Sequence, residues 1–300
     1  MSRPVSPYFL LCLTSLFWSL NFIIGKMLVT VIPPVTISFL RWLLPCLFFM
    51  IFYRRDLQAH FSNFTSRVPL ILLLGATGYS LNSIMVFEAV NYTTTINTSF
   101  INSFNPVLIA LAGFLMYRYH VSRLQGLGFL ISLSGVLFIV FKGEIRNFIA
   151  LQVNIGDLFM VASISLWSIH TILYKKKAHL FSGRGIFPLM MLGGLIVTFP
   201  FSLAECIYDD WSWIGNIRFR HVLAILVLNI FPSVLASLFW NHALTKISAN
   251  RVAIFQYLIP VYTTLISFFF LGERLQSFHL FGGALIFFGV MLVATINVRR

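Results

Sequence analysis

The sequence predicts an all-α membrane protein with ten transmembrane helices, arranged as two inverted five-helix repeats. Three observations carry this. Of the 300 residues, 59% are hydrophobic and only 10% are charged, whereas a soluble domain carries about a quarter charged residues. A spanning helix uses roughly 20 apolar residues, so ten spans with short connections take the whole chain and leave no stretch for a soluble domain. Finally, the segment 89–136 matches 243–290 in constant register.

Taken in order, the first span is expected at 7–28. It is longer than the apolar core of a signal peptide, lacks a small-residue cleavage site and holds Asn21 and Lys26 near its end. The second, at 34–53, opens on Pro33 and Pro34 and stops at Arg54-Arg55-Asp56. Spans at 68–90, 95–117 and 124–141 complete the first half. The sixth, at 155–174, closes on Lys175-Lys176-Lys177. Spans at 185–206, 221–244, 250–271 and 278–297 follow, with Asp209-Asp210 in the longest outer loop.

The net charge of +13 raises the question of nucleic acid. The basic residues lie between apolar segments rather than along one face, which is the pattern of a positive-inside bias. With the N-terminus inside, 14 Lys and Arg fall on inner segments, Arg3, Arg184, Arg251, Arg299 and Arg300 among them, and 6 on outer ones. Both termini are therefore expected in the cytoplasm. Arg41 lies within a span.

Cys12, Cys46 and Cys206 sit in apolar segments without metal-ligand spacing and read as inert thiols. No Gly-rich phosphate loop, HExxH or nucleophile–base motif is present, so an enzyme is not expected, nor a metal or cofactor. Asn63, Asn91 and Asn97 open weak N-x-S/T triplets, the first of them on the cytoplasmic side.

The repeat divides the chain into halves at 1–147 and 148–300. Pro106 falls on Pro260, Gly128 on Gly282 and Gly135 on Gly289. In the first and sixth spans Trp18-Ser19 falls on Trp167-Ser168, and Lys26 on Lys175. Five spans per half is an odd number, so the second half enters the membrane in the opposite sense. Inverted repeats of this kind build many secondary transporters, with the site near the midplane.

The chain resembles the EamA family of the drug/metabolite transporter superfamily. The resemblance rests on Trp18-Ser19-Leu20-Asn21-Phe22, Phe39-Leu40-Arg41-Trp42, Gly156-Asp157-Leu158, Ala243-Leu244, Pro260-Val261, Leu271-Gly272-Glu273-Arg274, and Gly282-Gly283 with Gly289-Val290. The first half departs from the pattern, with Tyr117-Arg118-Tyr119-His120 where LGE is usual. The resemblance implies ten helices, cytoplasmic termini, a bacterial inner-membrane location and efflux or exchange of small metabolites such as amino acids.

Polar residues inside spans are costly and usually face a cavity or another helix. Thr14, Trp18, Asn21 and Gly25 form a stripe at helical spacing, matched by Ser163, Trp167, His170 and Tyr174. Further stripes hold Gly75, Tyr79 and Asn82; Asn229, Ser233 and Trp240; Thr98, Asn102 and Asn105; and Gln256, Pro260, Thr263 and Ser267. Pro106 offers no N–H to the Asn102 carbonyl, nor Pro260 to that of Gln256. The two prolines either kink packed helices or open carbonyls to a central cavity.

The candidate substrate residues are thus Trp18, Asn21, Tyr79, Asn82, Asn102, Trp167, His170, Trp240, Gln256 and Tyr257, with Pro106 and Pro260 at kinks. His170 reads as a hydrogen-bonding or a proton-coupling group. Glu88, its repeat partner His242, and Arg41 are candidate charged gate or coupling groups. Gly128, Gly135, Gly282 and Gly289 read as helix-packing residues.

The expected function is secondary transport of a small metabolite or drug-like molecule by alternating access, in the direction of export. The partners are the cargo and the lipid bilayer, with no nucleic acid and no obligate protein partner. The rival readings are a receptor or assembly subunit without cargo, and an uptake or exchange carrier of the same fold.

Overall fold

Two prolines start the first helices. Pro7 opens α1 (Pro7–Leu28) and Pro34 opens α2 (Pro34–Phe52), where the missing N–H would have no intrahelical partner in any case. The computed structural model describes residues 6–55, 64–118, 122–149, 153–177, 180, 186–244, 246–247, 252 and 255–295. Arg3, Asp56, Asn63, Tyr119, His120, Arg184, Arg251, Arg299 and Arg300, named above, lie outside the described residues.

Helix α3 comprises Phe64–Gly75 and Leu81–Tyr92, joined by a π turn at Ala76–Ser80. Then come α4 (Thr95–Asn102), α5 (Asn105–Tyr117), α6 (Arg123–Val140) and the short α7 (Ile145–Ile149). Helices α8 (Ile155–Lys177) and α9 (Ile186–Tyr208) follow. Helix α10 comprises Phe219–Leu228 and Ala236–Leu244 around a second π segment, Asn229–Leu235. A 3-10 turn at Phe255–Tyr257 leads into α11 (Leu258–Phe270), and α12 is Ser277–Thr295. No strand occurs among the described residues.

Among the described residues, seven helices are long and apolar enough to cross a membrane: α1, α2, α3, α6, α8, α9 and α10. Helices α4 and α5 meet at a 44° bend and make an eighth if taken as one broken span. Two further stretches, Phe255–Phe270 and the Ser277–Val293 part of α12, are apolar helices of 10–17 residues. Side chains such as Phe52, Leu115, Phe269 and Phe281 are exposed by two thirds or more of their surface. A soluble monomer does not display apolar surface on this scale, and a bilayer covers it.

The structure differs from ten straight spans at its prolines. Pro106 does not kink a continuous helix. The chain breaks at Ser103-Phe104, and Pro106 sits in the first turn of α5. Pro260 likewise lies in the first turn of α11. In both places a new helix begins where proline is tolerated.

Small residues bring the helices together. Helices α6 and α12 cross antiparallel at Gly128 with Gly289 and Gly135 with Gly282. A methyl group built on Gly128 or Gly135 would stand 2.6 Å from the facing glycine carbonyl. The Ser132 hydroxyl donates to the Ile286 carbonyl (3.2 Å) and the Gln125 amide to that of Val293 (3.3 Å). These are close-approach contacts of the small-residue kind, as the glycine spacing predicts. Gly75 of α3 packs as tightly on Gly193 and Gly194 of α9.

Candidate functional site

The predicted stripes meet in pairs. On α1 and α10, Trp18 and Trp240 lie 5.0 Å apart between ring centroids, tilted by 47°. Both are half-buried. Asn21, one turn further along α1, is buried, and its side-chain oxygen has no partner among the described residues.

On α3 and α8, Asn82 donates to both the carbonyl and the hydroxyl of Ser163, each at 2.9 Å. Two turns along α8, His170 meets Tyr79 edge-on at 5.6 Å and stacks on Trp167 at 5.3 Å. Tyr79 in turn presents its edge to Trp42, 4.9 Å away. Nδ1 of His170 lies 3.0 Å from the Leu74 carbonyl. A carbonyl only accepts, so Nδ1 carries the proton and donates. The imidazole is a buried, hydrogen-bonded group, held where the backbone of α3 enters its π turn. Gly78 lies directly under the ring, and a methyl group there would overlap it.

Arg41 of α2 bridges these two pairs. Its guanidinium reaches Ser83 of α3 at 3.4 Å and Ser233 of α10 at 3.5 Å. The Trp42 ring lies under it, 4.7 Å from the centroid.

Other candidates stand apart. Asn105 accepts the Ser168 hydroxyl at 3.0 Å, while Asn102 and Gln256 are half-buried. Tyr257 and Pro260 line a mainly apolar groove of about 320 Å³ with Phe100, Val261, Leu265 and Phe287, rather than the paired stripes. Glu88 is half-buried, and His242 is exposed near the end of α10.

A dense polar cluster lies away from the predicted stripes, at the end of the bundle that holds Lys26. The Lys26 ammonium donates to the carbonyls of Val90 (2.7 Å) and Thr93 (3.1 Å). Asp157 is fully buried. It accepts the Thr93 hydroxyl at 2.7 Å and the Asn97 amide at 3.2 and 3.3 Å. The Asn97 oxygen therefore faces His279, whose Nε2 donates to it at 2.7 Å.

Two carboxylates each cap a helix start at the same end. Glu273 accepts the backbone N–H groups of Thr95 (3.0 Å) and Ile96 (3.1 Å) and the Thr95 hydroxyl (2.8 Å). Glu205 does the same for Val35 and Thr36 at the start of α2. Negative charge at a helix N-terminus satisfies free N–H groups and opposes the helix dipole. A cavity of about 500 Å³ lies over this cluster, lined by Lys26, Asn97, Glu273, Arg274 and His279 among others.

The sequence signal for the cluster was present but dispersed. Asp157 and Glu273 stand in the Gly-Asp-Leu and Leu-Gly-Glu-Arg stretches, and their partners lie at other helix ends.

Comparison with known proteins places the chain. The model of the EamA-like transporter family matches residues 5–141 and 154–295. An uncharacterized transporter of Archaeoglobus fulgidus is 29% identical, over 95% of this chain and 96% of its own. A probable amino-acid metabolite efflux pump of Salmonella typhimurium is 25% identical, over 97% and 96%. A solved crystal structure matches with a TM-score of 0.59 at 16% identity, covering 95% of this chain and 96% of that one. The likeness to that structure carries the fold alone. Seven apolar helices among the described residues, a lipid-type surface and a family match along almost the full length lead to one conclusion: the chain is an integral membrane protein of the EamA-like transporter family.

Proposed function

We propose that this protein is a secondary transporter that exports a small polar or amphipathic metabolite by alternating access. Its helices form ten spans, with α4 and α5 as one broken span and α11 and α12 as the last two. Two inverted halves at 1–147 and 148–300 enclose the site, and both termini lie in the cytoplasm of a bacterial cell. The efflux-pump name of the Salmonella relative supports the cargo class and the direction. The two separate matches to the family model support the halves.

The observation that carries this reading is the pairing of stripes at matched positions. Trp18 meets Trp240 across α1 and α10, and its counterpart Trp167 belongs with His170 and Tyr79 across α8 and α3. The π segments Ala76–Ser80 and Asn229–Leu235 fall at corresponding places in the two halves. Such segments interrupt regular helix and concentrate at functional sites. Aromatic faces and amide groups there would hold cargo by stacking and hydrogen bonds.

On this reading the Lys26 end is the outer gate, and the Asp157–Asn97–His279 chain and the Glu273 cap are what hold it shut. The gates are unequal: the position in the first half that matches Glu273 is Tyr119.

The test is purified protein in liposomes, loaded with a panel of amino acids, nucleosides and drug-like amines. Saturable exchange of at least one member is expected. No flux for any of them would overturn the proposal.

A further inference from the structure

Arg41 is 8% exposed and sits mid-helix in α2. A guanidinium offers five N–H donors, and it stays charged in proteins. Its hydrogen-bond partners among the described residues are the hydroxyls of Ser83 and Ser233, at the long limit of hydrogen bonding. No described carboxylate forms an ion pair with it. Of the chain's 8 acidic residues only Asp56 lies outside the described ones. It stands 15 residues further along the sequence.

A buried charge without a counter-ion is strongly destabilising. Further buried polar atoms on α2 and α10 are equally unmatched. The Trp42 indole N–H, in the ring under the guanidinium, has no partner, nor does the Ser38 hydroxyl one turn earlier on α2. The Asn229 side-chain oxygen, one turn before Ser233, is also unpaired. Arg41 thus stands between the π segment containing Ser233 and the helix just past the π segment of α3. Three of the unpaired atoms thus belong to α2, which carries the cation, and to α10, which it reaches through Ser233.

We infer that Arg41 is the anchor for a carboxylate on the transported molecule. This rests on the transporter reading and specifies its cargo. A planar carboxylate accepts two parallel bonds from a guanidinium, with the Trp42 N–H as a third donor. One cation matches one negative charge. A phosphate monoester would leave excess negative charge in apolar surroundings, so the structure favours a monocarboxylate. The Asn229 oxygen supplies an acceptor for a hydroxyl or amine hydrogen on the same molecule.

The test compares thermal stabilisation of the purified full chain by amino acids and short hydroxy acids with that by their carboxamides. Wild-type protein is expected to bind at least one acid about thirtyfold or more tightly than its amide, the scale of a lost buried charge pair. Arg41→Gln abolishes that preference while its unliganded midpoint holds or rises, because an unpaired charge has gone. Arg41→Lys keeps the charge without the fork and gives an intermediate preference.

Equal binding of acid and amide, or no stabilisation by any acid, overturns the inference. So does an Arg41→Gln variant of lowered midpoint that still prefers acids, since Arg41 would then only tie Ser83 to Ser233. Acid preference without flux in liposomes would remove the transporter reading and leave the carboxylate site. Flux without acid preference would do the reverse.

Discussion

The carboxylate of Glu273 holds Thr95 twice, taking its backbone N–H through Oε1 at 3.0 Å and its hydroxyl through Oε2 at 2.8 Å. Glu273 follows α11 and Thr95 begins α4, so one side chain joins two helices distant in sequence. Replacing Glu273 with Ala leaves the first N–H groups of α4 without an acceptor. A lost cap costs about 1 kcal/mol. Glu273→Ala is expected to lower the thermal midpoint and to speed thiol labelling of a Thr94→Cys reporter at that end. An unchanged labelling rate would show that the cap does not hold the end closed.

Asp157 and Glu88 give a sharper contrast. Asp157 accepts two donors, and its partner Asn97 accepts from His279. Asp157→Ala strands the Thr93 hydroxyl and leaves the buried Asn97 amide only the Thr93 oxygen at 3.3 Å, at about 1–3 kcal/mol for each unsatisfied group. Glu88→Gln, at a half-buried site with no such network, is expected to change stability little. Thermal unfolding of the two variants side by side checks the order. A larger loss from Glu88→Gln would contradict the assignment.

These cases show what the sequence made legible. The helical stripes on α1, α3, α8 and α10 were readable because apolar periodicity survives in a single sequence, and the structure pairs Trp18 with Trp240 and Tyr79 with His170 along them. The glycine contact of α6 with α12 was readable for the same reason. The π segments were not, because the extra residue per turn leaves no compositional mark. The Asp157 and Glu273 clusters were missed because each joins helix ends remote in sequence. Glu88 drew attention as a carboxylate deep in an apolar run, whereas Asp157 stands at a helix start, where an acid looks unremarkable yet is wholly buried. The break before Pro106 was signalled, but as a kink rather than as a new helix.

Gly78 is a test of the His170 environment. A methyl group there would collide with the imidazole, so Gly78→Ala forces the ring away from the Leu74 carbonyl. Overpacking of this kind costs about 1–3 kcal/mol. Gly126, with nothing within 4 Å of an added methyl, is the control, and Gly126→Ala is expected to be neutral or slightly stabilising. Thermal midpoints of the two variants check it, and a tolerated Gly78→Ala would mean that His170 is not fixed as described.

The crossing of α6 and α12 predicts a further penalty. Gly135→Leu places a branched side chain against the Gly282 carbonyl and Ile286. The variant is expected to unfold at lower temperature and to yield less folded protein from membranes. Leu133→Ala, on an exposed face of the same helix, is expected to do neither. Equal behaviour of the two would argue against close packing at this seam.

The most direct test of the account is counterflow. Liposomes holding the protein are preloaded with an unlabelled cargo identified by the panel, and a trace of the labelled form is added outside. Alternating access predicts that label accumulates inside transiently, above its equilibrium level, and that empty liposomes show no such overshoot. A simple approach to equilibrium in both would contradict a carrier and indicate an open path or no transport at all.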